Sequence, residues 1–371
     1  MKKWMLALGL LCITGTAAAK TITDVAGRQV EVAAESKRII LGEGRQIYLL
    51  AAFDTDAPFQ RVVGWRDDFH KADWDGYRAY EARYPQIKRL PTFGGAKDGT
   101  FNVEQALTLK PDLVLMNLES RAATDEGKLI EKLRAVGVPV VFIDFREAPM
   151  VNAEKSIRIM GELLNKPERA QAIIDFRHQQ IERVTARLQD FHGTRPKVMI
   201  DRAGGYTDEC CMSFGNENFG QMVEIAGGNN IAKELIPGTF GTLNPEQIIA
   251  SRPDVVVVTG ANWKNYNTVG KWVGVGPGAD TKEAEARLRA LMMRDAFKTL
   301  PVVHNGHAHA IWHQFYDSPY QFVAIQALAK WLHPDLFADL DPDATFREFH
   351  EKFLPLPYQP GYWVTLPADK R

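Results

Sequence analysis

Cysteine is scarce in this chain: three occur among 371 residues, at Cys12, Cys210 and Cys211. No disulfide framework can therefore tie distant segments together. Cys210 and Cys211 are neighbours, and adjacent Cα atoms lie about 3.8 Å apart, below the usual disulfide spacing of about 4.4 Å and more. Two free, partly buried thiols are expected ahead of a strained bridge. An excess of either charge is also lacking, with 45 Lys and Arg against 46 Asp and Glu, which argues against a broad nucleic-acid or anionic-membrane surface. Beyond the first residues no apolar run approaches the roughly 20 residues of a membrane-spanning helix. Catalytic signatures are missing too. There is no G-x-S-x-G elbow, no H-E-x-x-H and no C-x-x-C, and the glycines at Gly94-Gly95 and Gly274–Gly278 lack the lysine of a phosphate loop. The chain is not expected to be an enzyme.

What is present begins with Met1-Lys2-Lys3, an apolar stretch from Trp4 to Ile13, and Ala17-Ala18-Ala19. A basic start, a short apolar core and an A-x-A site read as a cleavable secretory signal over 1–19. Leu11 precedes Cys12 where a lipoprotein would need a small residue, so no lipid anchor is expected. Removing Lys2 and Lys3 leaves 43 basic against 46 acidic residues. The remaining length suits about two ordinary domains.

An internal similarity supports that division. Thr100-Phe-Asn-Val-Glu-Gln-Ala-Leu-Thr-Leu-Lys-Pro-Asp-Leu-Val-Leu115 resembles Thr242-Leu-Asn-Pro-Glu-Gln-Ile-Ile-Ala-Ser-Arg-Pro-Asp-Val-Val-Val257, 142 residues later. In each copy an asparagine, Asn102 or Asn244, can cap a helix, and Pro111 or Pro253 stops it. Asp112 or Asp254 then leads into an apolar run suited to a strand buried on both faces. A second echo pairs Val138-Pro-Val-Val-Phe-Ile143 with Leu300-Pro-Val-Val303. Further strands are expected at Arg38–Leu41, Arg61–Gly64, Lys197–Ile200 and His307–Trp312. Alternation with helical patterns predicts an α/β fold: two Rossmann-like lobes with mostly parallel sheets.

The lobes are expected at 20–165 and 192–371, the second including C-terminal helices. One long α-helix, 166–191, joins them, with Asn165 as its cap and Pro167 in its first turn. Its apolar stripe is Ala170, Ile174, Ile181, Val184, Leu188 and Phe191. A stiff connector of this kind favours a small closure over a wide clamshell motion.

In this order, several segments resemble the class III periplasmic binding proteins of ABC importers for ferric siderophores, haem and cobalamin. Ile22-Thr-Asp-Val-Ala-Gly-Arg-Gln-Val30 is similar to the family's first hairpin, and Lys37-Arg-Ile-Ile40 to its first strand. Glu104-Gln-Ala-Leu-Thr-Leu-Lys-Pro-Asp-Leu-Val114, Ser156-Ile-Arg-Ile-Met-Gly-Glu-Leu-Leu164 and Ala226-Gly-Gly-Asn-Asn-Ile231 continue the match. The resemblance implies a periplasmic monomer that carries a small-molecule metal chelate to an inner-membrane permease dimer with its ATPase subunits. It implies no cofactor, since iron arrives only within the chelate. Glu104 and Glu246 fall where the family docks onto permease arginines, although acids in a helix's first turn are also favoured locally.

Ligands of α/β folds sit beyond the carboxyl ends of the strands. That rule selects Arg45, Trp65, Arg66 and Arg121 from the first lobe, and Arg202, Tyr206, Trp263, Tyr266, His313 and Tyr316 from the second. Arginine supplies forks of donors for carboxylates and catecholates, and aromatic rings supply flat walls, so the residues favour an anionic metal chelate over a bare cation; the resemblance implies that this is an anionic ferric siderophore. Trp65 and Trp263 can equally be core aromatics. The long segments Gly64–Tyr77 and Asn262–Asn267 through the glycine-rich Gly270–Gly278 should shape the rim. A molybdate-type oxyanion is the alternative, followed by haem on His313 or Tyr316 and by cobalamin. His304, His307, His309 and His313 invite zinc or manganese, but they lie within one strand and its ends, so that reading is the least favoured and no protein metal site is expected.

Overall fold

The computed structural model describes residues 19–369. Apart from Ala19, the expected signal segment lies outside the described residues, as does Cys12. The chain opens with an antiparallel hairpin, Ala19–Thr23 against Gln29–Ala33. Asp24 fixes its turn by accepting the N–H groups of Ala26 and Arg28, both at 3.0 Å.

Two five-stranded sheets follow. The first runs Thr92–Phe93, Val62–Arg66, Ile39–Leu41, Leu113–Asn117, Val140–Ile143, with every pairing parallel. The second runs Asn229–Asn230, Lys197–Asp201, Val255–Gly260, Ala308–Trp312, Trp363–Thr365, parallel except for its last strand. Leu113–Asn117 and Val255–Gly260 are buried along their whole length, as expected for strands covered on both faces.

The sequence repeat has a structural cause. Asn102 and Asn244 accept the N–H groups of Gln105 and Gln247 at 2.9 and 2.8 Å, capping the helices Val103–Thr108 and Pro245–Ser251. Each Pro-Asp then ties the next strand to its neighbour. Asp112 accepts the N–H of Lys37, and Asp254 that of Lys197, both at 2.8 Å. The repeated aspartate thus fixes where the adjacent strand starts. The second echo does not hold: Pro301–Val303 is a short 3-10 helix, and the strand begins at Ala308, after Gly306 at φ 85°.

The connecting helix spans Pro167–Gln189, at 1.5 Å per residue roughly 35 Å. Asn165 does not cap it. At φ 55° it sits in the left-handed region and ends the preceding helix, Pro149–Leu163. The stripe is also wider than the apolar pattern showed. Arg177 and Gln180 are buried with it, Arg177 donating to Gln321 Oε1 at 2.9 Å and to the Pro319 carbonyl. Polar residues are buried here because the helix Gln321–Leu332 supplies their partners.

Cys210 and Cys211 are joined as a neighbouring disulfide, correcting the expectation of free thiols. The backbone of Cys211 is paired with Leu243 in both directions.

Candidate functional site

The carboxyl ends of the two sheets face each other, and the residues following the strands meet between the lobes. Arg45 follows Ile39–Leu41 in a 3-10 turn over Gly44–Gln46. Its guanidinium donates to Asp68 at 2.7 Å, to the Tyr316 hydroxyl at 2.9 Å and to Gln314 at 3.1 Å, and lies 3.3 Å from both Glu43 and Asp317. Arg146 follows Val140–Ile143 and holds Glu43 at 2.6 Å, together with Glu119 and Asp317. Asp317, Gln314 and Tyr316 come from the second lobe, so this network spans the cleft floor. Asn218, also from the second lobe, donates to the carbonyls of Arg146 and Tyr316.

Burial and charge act against each other at this floor. Burial would raise the Glu43 carboxyl, but Arg146 and Arg45 hold it at about 2. Asp317 shares those guanidiniums with the ionised Glu43. Burial prevails there and pushes its carboxyl up to about 7. His313 donates to or accepts from Thr259 at 2.8 Å. Burial, then Arg202, Arg45 and Arg146, hold it far below the usual histidine range, so the ring is neutral.

Of the residues selected from sequence, Arg45, His313 and Tyr316 belong to this cluster. Arg66 stands at its edge, paired with Asp98 at 2.8 Å and 3.7 Å from Glu43. Arg202 differs from the others. Among the described residues it has no carboxylate within salt-bridge distance. Its guanidinium lies 4.0 Å over the Phe240 ring and 5.7 Å from that of Phe214, and its Nε has no acceptor. Burial lowers its pKa, with the positive Arg146 nearby adding to the effect. Phe240, the ring beneath it, is 44% exposed.

Trp65 is core: 3% exposed, it meets Phe59 and Phe69 edge-on. Trp263 is buried behind His313 at 5.3 Å, with the half-buried Tyr206 edge-on to it at 5.4 Å. Tyr266 is exposed, and Arg121 turns away to the carbonyl of Ala26. Glu104 and Glu246 occupy the first turns of the two capped helices. The two long segments meet across the lobes, where Asn262 donates to Asp75 at 2.9 Å, Asn265 to the His70 carbonyl at 3.1 Å, and Lys264 lies 4.4 Å over Trp74.

Sequence reasoning missed Glu43, Asp68, Glu119, Arg146, Gln314 and Asp317. The strand-end rule would have found Arg146 had it been applied after Val140–Ile143. The carboxylates gave no comparable signal, since a search for anion-binding groups passes over acids. The histidines separate: His304 bonds Asp369, His309 stacks on Trp331 and bonds Thr365, and His313 bonds Thr259. Among the described residues, no three His, Cys, Asp or Glu side chains are grouped to hold a metal ion.

Comparison with known proteins places this geometry. A family model described as periplasmic binding protein matches residues 69–311. A TroA-like periplasmic binding protein, FepB, from Veillonella parvula superposes with a TM-score of 0.84 at 26% identity, covering 93% of this chain and 99% of that one. A molybdate periplasmic binding protein, MolA, of Haemophilus influenzae, solved with molybdate bound, shares the fold at a TM-score of 0.71 and 18% identity over 92% and 99% of the two chains. A cobalamin-binding protein of Halobacterium salinarum is 27% identical over 217 residues, 56% of this chain and 55% of its own length. The chain spans about half the length of that curated relative.

Proposed function

We propose a function on one premise: the chain belongs to the periplasmic binding protein family. In this reading it is the solute-binding component of an ABC importer. It takes a ferric siderophore between its lobes and delivers it, in the periplasm, to an inner-membrane permease dimer, docking through Glu104 and Glu246. The observation that carries the solute is Arg202. A half-buried guanidinium with no protein carboxylate, flanked by Phe240 and Phe214, suits a ligand that brings an anionic oxygen and a flat organic edge. Iron held by the chelate needs no protein ligand. Native mass spectrometry of protein purified from iron-limited cells tests this: an iron-containing organic adduct is expected, and a bound oxyanion or iron-free organic molecule would overturn it.

Cobalamin is the second reading, favoured by the name of the Halobacterium salinarum relative. Cyanocobalamin titrated into the protein, followed by tryptophan fluorescence, separates the two. Saturable quenching that a ferric siderophore cannot compete away would select the corrinoid.

A further inference from the structure

The floor of the cleft carries more acid than base. Arg45 and Arg146 face Glu43, Asp68, Glu119 and Asp317, two guanidiniums against four carboxylates. Arg146 alone holds three of them. Arg66, the next cation, is already engaged by Asp98 at 2.8 Å. An anionic group entering the floor would displace a protein carboxylate or sit beside one. Unit charges about 5 Å apart at an effective dielectric near 20 repel by on the order of a hundredfold in affinity. Among the described residues Arg202, beside the exposed Phe240, has no such competitor.

We propose that Asp317 and Glu119 set a charge ceiling on the solute, so that the cleft takes an iron chelate of zero or one net negative charge and rejects one of three. This rests on the iron-chelate reading above. The chelate's single anionic edge lies at Arg202, and its remaining surface is neutral, with donors or apolar groups toward the floor. Asp317 reaches Arg45 and Arg146 from the opposite lobe, so it stands where a solute anion would otherwise bridge the lobes. Its carboxyl, held at about 7, is mostly ionised at pH 8, where the ceiling is stronger than at pH 6.

The experiment measures affinities at pH 8 for a neutral ferric trihydroxamate and a trianionic ferric tris-catecholate. Wild type is compared with Asp317→Asn and Glu119→Gln. The second variant guards against a folding defect in the first, because the Glu119 side chain is 16% exposed. Wild type should favour the trihydroxamate. In each variant the ratio of tris-catecholate to trihydroxamate affinity should rise about tenfold or more over wild type. A wild type that prefers the trianion, or two folded variants with that ratio unchanged, overturns the ceiling and leaves the iron-chelate reading standing. Wild type that binds neither probe removes that reading and the ceiling together.

Discussion

Arg202 and Arg146 carry the same side chain in opposite electrostatic settings. Arg146 is surrounded by three carboxylates, whereas Arg202 lies against the Phe240 ring with no carboxylate partner. On the proposed reading, a solute anion gains most at Arg202. Arg202→Gln should weaken solute binding by roughly ten- to a hundredfold, the range of a hydrogen bond to a charged group, as read by isothermal titration. Asp73 is a second residue with a distinct signature. Burial pushes its carboxyl up to about 7, although Tyr48 O–H donates to it at 2.6 Å. In the unfolded chain an aspartate titrates near about 3.9. The folded state thus keeps a proton that the unfolded state has lost. Stability is fully present below about pH 4 and declines as pH rises through about 7. Asp73→Asn should remove that decline, so its urea midpoint should gain on wild type between pH 5 and pH 8. Parallel pH profiles would refute the argument.

At the level of elements, the helices Pro149–Leu163 and Pro167–Gln189 meet where Gly161 faces Ala170. A Cβ built on Gly161 would lie 2.5 Å from the Ala170 Cβ, so the helices must move apart to admit a methyl group. Gly161→Ala should cost about 1–3 kcal/mol, measured by urea denaturation. The helices bearing Glu104 and Glu246 are pseudo-equivalent, each capped by asparagine with the acid in the first turn. Reversing both charges should abolish delivery of the solute into proteoliposomes holding the permease, with solute affinity unchanged. Lost affinity would assign the two acids to folding instead. The caps, the proline stops and the buried strands were legible in the sequence because each depends on residues a few positions apart. Asn165 was misread because an asparagine that begins one helix and one that ends another look alike until φ is known.

For the molecule as a whole, the lobes touch through the floor network, through Asn218 donating to the Arg146 carbonyl, and through the contact of Asp75 with Asn262. A helix roughly 35 Å long backs them. Scattering profiles with and without solute should therefore give nearly the same radius of gyration. A change of several ångströms would show a wide clamshell motion and contradict this view of the joining helix.

By itself the sequence determined the two α/β lobes, their repeat, the long connecting helix and the arginines at the strand ends. These follow from hydrophobic period and short-range stereochemistry. Only the tertiary structure decided what those arginines face. Glu43, Asp68, Arg146 and Asp317 converge from positions 43 to 317, and no local pattern encodes such a meeting. It also moved Trp65 from the cleft into the core and joined Cys210 to Cys211. Charge at the site is a sum over residues brought together by folding, which is why the sequence pointed to a basic cleft, whereas the folded chain sets Arg45 and Arg146 against four carboxyl groups and, among the described residues, leaves Arg202 with no carboxylate partner.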